Sequence, residues 1–324
     1  MAIDSVWGAT HMERNEIFNT QLKEVFLDQL FASQWVNFIG DFTDGDNYKI
    51  NSVGELTIDQ MSEATSLPVR RPDSGQFLFN INEFVGVKTA FTDVFFEDDF
   101  MAPQVLSTTV DRMMRAFEEY LETRVLRLQR EQTTNNENAI NGVAHRFTAN
   151  GSVRDLTIQD FAFARYSLEK ANVPLSNQVC LIDPSQEFNA NVFSQVTSTD
   201  NPKWEGILES GFINGTGIRF VKNIYGFDVY VSNYLDSEAA IEGALDDYQG
   251  NVTATVVGDK ASLFFSALDP MSLPFIGAWR RRPAVKSWRD EDKETEFHQM
   301  SSRFGLALFR PENLVVCMTG TGLN

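Results

Sequence analysis

The 324-residue chain has only two cysteines and three histidines, which excludes a disulfide scaffold and leaves little material for imidazole catalysis or a zinc site. Cys180 and Cys317 each sit in a short apolar run, VCLI and LVVCM, where a free thiol packs as a small hydrophobe in a reducing compartment. Basic residues are also scarce. The 27 Lys+Arg oppose 45 Asp+Glu, and the net charge of −18 argues against a broad face built to neutralise phosphates. No apolar run approaches the ~18 residues of a membrane span, and MAIDSVWGATHMERNE lacks the basic start and apolar stretch of a signal peptide. A soluble chain, not exported by these routes and with no membrane partner, is the expectation. The sequence contains no H-E-x-x-H, C-x-x-C, G-x-S-x-G or P-loop pattern, so zincin, thiol-redox, hydrolase-elbow and nucleotide-phosphate chemistry all lack their residues.

What is present is a patterned, aromatic-rich globular chain: 43% hydrophobic residues and 27 phenylalanines can build a large core. Phe18, Leu22, Val25, Phe26 and Leu30 form one stripe of a helix over 15–31, behind a loose arm. From Tyr48 to Leu56 and from Gln76 to Phe96 the period changes to two, with Phe77, Phe79 and Ile81 on one face and Leu78, Asn80 and Asn82 on the other. Between these strands lies TIDQMSEATSLPVRRPDSG, with two prolines and both charge signs, a composition suited to a long exposed excursion that needs a partner. The strongest helix spans 101–131, with Val110, Met113, Met114, Phe117, Tyr120, Leu121, Val125 and Leu128 inward and Arg112, Glu119, Glu122, Arg127 and Arg130 in solvent. Thr157 and Asp160 have capping-box spacing and open a helix to Ala171. The second half alternates VCLID, a helix from about Ser185, a polar loop at 194–203, and later strands in YGFDVYVSNYL, ATVVGDKASLFFSAL, RPAVKSWRDED, FGLALF and LVVCM. The class is α+β.

Candidate chemistry is thin. His11, His145 and His298 fall in the arm, a loop edge and a strand start, too scattered for an acid–base set. Asp41, Asp44, Asp46 and Asn47 gather oxygen ligands around Gly45 but break EF-hand spacing, which leaves a turn. Glu97, Asp98 and Asp99 complement the positive end of the following helix without a metal. No catalytic residue, cofactor or metal is expected. The segment from Trp279 to Arg289 carries Arg280, Arg281, Arg282, Lys286 and Arg289 between aromatics, followed at once by Asp290, Glu291 and Asp292. Such a plus-then-minus block suits an interface in which a neighbouring copy supplies the opposite sign. A nucleic-acid platform and a plain solvated strand are the alternatives.

The order of elements, with VCLIDPSQEF, YGFDVYVSNYL and SSRFGLALFRPENLVVCMTG in sequence, resembles the major capsid protein of tailed bacteriophages. The resemblance implies the phage major capsid protein fold: N-terminal arm and helix (1–46), an extended β-hairpin loop (47–97), a peripheral domain with a long spine helix (98–153 and 272–308), and an apical domain (154–271 and 309–324). It implies hexamers and pentamers of this chain in an icosahedral virion head, assembled in the host cytoplasm around double-stranded DNA that is enclosed without specific binding. A portal protein and, in some shells, a decoration protein complete the partners. Some members cross-link through a lysine in the extended loop; here 57–75 offers Arg70 and Arg71, beside Asp73, and no lysine, which implies a non-covalent shell. Only a short arm precedes the first helix, which implies a separate scaffolding protein. The interface candidates are Arg70, Arg71, Asp73, Arg280, Arg281, Arg282, Lys286, Arg289, Asp290 and Asp292. An encapsulin, a cargo-holding nanocompartment of related fold, and an α+β enzyme are the competing classes.

Overall fold

The computed structural model describes residues 30, 32–41, 47–54, 58–61, 63, 69, 74–98, 102–131, 139–191, 220–237, 244–246, 252–254 and 258–321. The helix expected over 15–31 and the loop at 194–203 fall almost wholly outside them. In chain order the elements are β1 (Val36–Asp41), β2 (Asn47–Val53), β3 (Ser74–Asn80), β4 (Glu83–Thr92), α1 (Asp93–Asp98), α2 (Ala102–Arg127), β5 (Ala139–Ile140), β6 (Val143–Ala144), β7 (Arg146–Thr148) and α3 (Ile158–Lys170). Then follow β8 (Gln178–Ile182), α4 (Pro184–Asn191), β9 (Phe220–Ile224), β10 (Phe227–Val231), β11 (Ala244–Asp246), β12 (Val252–Ala254), β13 (Lys260–Ser266), β14 (Phe275–Asp290), β15 (Thr295–Leu308) and β16 (Val315–Thr319).

Two sheets organise the molecule. A six-stranded sheet runs β7-β16-β13-β8-β10-β9, and its central strands read as continuous apolar runs because both faces are covered. The period of two sorts their side chains. Val179, Leu181, Ala261, Leu263, Phe265, Val316 and Met318 point to one core, whereas Cys180, Ile182, Phe264, Val315 and Cys317 point to the other. The second core is closed by α3 through Phe161, Ala164 and Leu168, with Phe161, Phe227 and Phe264 meeting edge to face or tilted at 5.2–6.3 Å. Each such ring contributes about 1.5–3 kcal/mol by burial. The capping box forms as the spacing predicts: Thr157 accepts from the Asp160 amide, and the Asp160 carboxylate accepts from the Thr157 amide at 2.7 Å. β9 and β10 are joined by Tyr225-Gly226, both at positive φ (55° and 94°), the geometry a tight two-residue hairpin demands.

The four-stranded sheet runs β1-β14-β15-β4, and α2 lies across one face of it. Met113, Phe117, Leu121 and Val125 of α2 reach the first core, where Phe117, Trp279 and Phe304 cluster at 5.3–6.1 Å. Three details differ from the sequence expectation. Met114 and Tyr120 lie at the exposed edge of α2, because the sheet covers a stripe narrower than the apolar one. Glu122, expected in solvent, is buried and accepts the Ala32 amide at 2.7 Å, holding the turn Ala32–Trp35 against the helix. The stretch expected as strand from Gln76 to Phe96 breaks at Ile81 and Asn82 into β3 and β4, which join different sheets, and β4 stops at Thr92, where Asp93 turns into α1 and its amide donates to the Glu294 carbonyl at 3.0 Å.

Candidate assembly surfaces

β2 and β3 form a separate antiparallel pair in register from Asn47–Asn80 to Val53–Ser74. Its base is anchored as the alternation predicts: Phe79 and Ile81 are buried against Ile276 and Ala278, with Phe77 and Ile50 alongside, while Leu78, Asn80 and Asn82 are exposed. Gly305 makes this crossing possible, since a Cβ there would collide with the Asn80 carbonyl oxygen and lie 3.0 Å from Ile81 Cα. Beyond the base the chemistry inverts. Ile58, Met61 and Val69, in the stretch joining Val53 to Ser74, are 99%, 70% and 96% exposed. Arg70, Arg71 and Asp73 lie outside the described residues.

β14 and β15 form a long hairpin whose two faces have different characters. His298, Met300, Ser302, Phe304 and Leu306 are buried toward α2. On that side Glu83 pairs with Arg124 and accepts from the Tyr120 hydroxyl at 3.0 Å; burial and then Glu83 push the Tyr120 phenol up. On the opposite face Lys88 Nζ stands 3.8 Å from the Phe297 ring centroid and 4.8 Å from that of Trp288, which are stacked at 5.5 Å. Further down that face Arg280, Arg281 and Arg303 line a cleft of about 590 Å³ with Ile81, Asn82 and Phe84. Arg281 lies over the Phe84 ring at 5.2 Å and is directly opposite Arg303 in the ladder.

The sequence-predicted block is thereby divided. Arg280 and Arg281 meet in the cleft; Arg282 and Lys286 are exposed along β14; Arg289 is committed within the chain to Asp93 at 2.6 Å and Glu291 at 3.0 Å. Asp290 pairs with Lys293 at 3.6 Å, and Asp292 is exposed at the turn. Arg303 and Phe84 escape sequence reasoning because the cleft depends on cross-strand register; the basic residue before FGLALF is the one signal for Arg303.

His11 lies outside the described residues, and the other two histidines sit apart, His145 beside β7 and His298 on β15. His145 is buried between β6 and β7, with Nδ1 3.2 Å from the Val143 carbonyl, and burial lowers its pKa. Ser287 Oγ lies 2.8 Å from His298 Nδ1, and His298 Nε2 is 3.5 Å from Glu296. His298 and Glu296 sit in β15, which is laddered on both sides, and Ser287 lies opposite His298 on β14. Both cysteines are free, fully buried and pushed well above the ordinary thiol range by burial. Among the described residues no three His, Cys, Asp or Glu side chains are grouped to hold a metal, and no helix is long and apolar enough to cross a membrane.

The fold recurs in solved phage structures. One from Mycobacterium phage Che8 is 16% identical with a TM-score of 0.65, over 95% of this chain and 97% of that one. The capsid of cyanophage P-SCSP1u is 16% identical at a TM-score of 0.66, covering 94% and 92%. The mature capsid of bacteriophage PhiM1 is 12% identical at 0.68, covering 94% and 91%. No curated protein matches the chain in sequence. The architecture defines an α+β subunit of the tailed-phage major capsid class. The chain belongs to the phage capsid protein family, which it matches over residues 77–317, and its role is structural.

Proposed function

We infer that this chain is the major capsid subunit that assembles with itself, as hexamers and pentamers, into the icosahedral head enclosing double-stranded phage DNA. The observation that carries this reading is the β2–β3 excursion. Its base is held by Phe79 and Ile81 and by the close approach at Gly305, while Ile58, Met61 and Val69 face solvent almost fully. Apolar side chains held outward by an anchored hairpin make sense as a strap across the next subunit. In this reading the reaching part of the extended loop (47–97) is the β2–β3 excursion, its return strand β4 being laddered on β15 in the four-stranded sheet; 98–153 with 272–308 is the peripheral domain built on α2, and 154–271 with 309–324 the apical domain. The family match favours a phage shell over a cargo compartment. A separate scaffolding protein guides assembly in the host cytoplasm, a portal occupies one vertex, and a decoration protein is an optional outer partner. The net charge of −18 fits a wall that encloses DNA without gripping it.

Replacing residues 54–73 by a short Gly-Ser turn tests the reading. The described side chains there carry none of the core, and each halving of a loop changes closure by only ~0.6 kcal/mol, so about two halvings here cost little; circular dichroism and melting should be preserved while electron microscopy shows no closed shells. An unfolded variant places the segment in the core, and intact shells remove it from the interface.

A further inference from the structure

In a chain with 45 acidic residues, three of its 27 basic ones converge on a single cleft. The convergence opposes the local physics of the sheet. Arg281 and Arg303 are direct cross-strand neighbours, and like charges so placed destabilise a pair. Register irregularities flank Arg281 on both sides, between Trp279 and Arg281 and between Arg281 and Ala284. Bulges of this kind re-aim side chains. The Arg281 guanidinium carbon stands 5.2 Å from the Phe84 ring centroid, and a guanidinium fork can donate to both oxygens of a carboxylate at once. The guanidiniums keep contacts within their own chain as well; what the cleft offers is their summed charge.

The complementary charge sits at the far end of the same hairpin. From Arg289 to Glu296 there are five acids and two bases, a net −3, and Glu291, Asp292, Lys293 and Glu294 are all exposed at the turn. Asp93, the first residue of α1, adjoins the turn through its amide's bond to the Glu294 carbonyl, and the same short helix carries Glu97 and Asp98. Arg289 is held by Asp93 and Glu291, while Asp292 and Glu294 are exposed. The turn lies nine residues beyond Arg281, about 30 Å along an extended strand. A rigid paired hairpin cannot fold back to bring its own turn into its own cleft.

We propose that the Arg280–Arg281–Arg303 cleft receives the acidic turn 290–294 of a second copy of this chain, in a head-to-tail contact. The contact rests on the shell reading above and specifies which surfaces of neighbouring subunits meet. Head-to-tail contacts are heterologous, so each copy both gives a turn and receives one, and the series closes into a ring when the rotation between copies is that of a capsomer. Two charges of opposite sign brought together steer subunits into a single register and disfavour other approaches.

A charge swap tests it, with the threshold protein concentration for assembly read by light scattering and sedimentation, and folding followed by circular dichroism. Variant one is Arg281→Glu with Arg303→Glu. Variant two is Asp292→Lys with Glu294→Lys, which spares the Arg289 pairs. Each should raise the threshold about tenfold or more, and the chain carrying all four changes should return to within about threefold of wild type. If variant one misfolds, Arg303→Gln alone should still raise the threshold and flatten its dependence on salt. Assembly of variant two at the wild-type threshold overturns the contact, including the case in which the cleft serves free anions instead. A four-change chain that is folded yet as impaired as either parent also overturns it. A wild-type chain that forms no shells counts first against the shell reading, whereas normal wild-type shells with unaffected variants count only against this contact.

Discussion

Substituting Ser at Ile58, Met61 and Val69 together separates folding from assembly within one chain. These side chains are 99%, 70% and 96% exposed in the subunit, so the change removes almost no buried area, and surface substitutions of this kind stay within about ±0.5 kcal/mol of stability. In a shell, full burial of each is worth about 1.5–3 kcal/mol, or roughly 4.5–9 kcal/mol for the three. Ordering of the loop and incomplete burial reduce that sum; even a retained third, about 1.5–3 kcal/mol, raises the assembly threshold roughly 10- to 100-fold. Thermal melts and sedimentation velocity on the same preparation measure both quantities. A melting temperature unchanged within error and a threshold raised at least tenfold are expected. Shells forming at the wild-type threshold would refute the strap; a cooperative loss of secondary structure would show that the three residues belong to the subunit core.

Burial holds His145 below its ordinary value near 6.5, so its neutral form is favoured by the fold, and the unfolded chain binds the proton first as the pH drops. Its contribution is complete above pH ~6.5 and is lost as pH falls below that value. Melting temperatures between pH 7.5 and 5 should decline less steeply in His145→Gln than in wild type; parallel curves would contradict the assignment. Cys180 and Cys317 should react with a thiol reagent only at the rate of unfolding, since both are fully buried and shifted upward, and fast labelling of the native subunit would show that the six-stranded sheet opens. Duplex DNA at physiological salt should bind only weakly to a chain of net charge −18, and a sub-micromolar dissociation constant by fluorescence anisotropy would contradict an indifferent wall.

Local chemistry that needs no partner was legible in the sequence. Alternation through Phe77, Phe79 and Ile81 gives the correct faces of β3, Thr157 and Asp160 form their box, and VCLI and LVVCM become central strands with a cysteine facing the same core in each. Features set by a distant segment were not. Nothing around Thr92 and Asp93 breaks the period of two; the strand ends because the Asp93 amide donates to Glu294 across the sheet. Glu122 looks solvated on a helical wheel, whereas in the fold it is buried and accepts the amide of Ala32, ninety residues away in sequence. The block at 279–292 showed its charge order, yet which residues share a cleft depends on the irregular register of β14 against β15. That register places Arg303 beside Arg281, while Arg289 is drawn instead to Asp93.

Electron cryomicroscopy of the expressed protein, alone and with a scaffolding protein, decides whether this subunit builds a closed shell. Closed icosahedral particles with six-fold and five-fold capsomers, and with density from residues 54–73 lying across the neighbouring subunit, are predicted. Monomers or small closed oligomers under both conditions, or shells in which that segment contacts only its own chain, would contradict it.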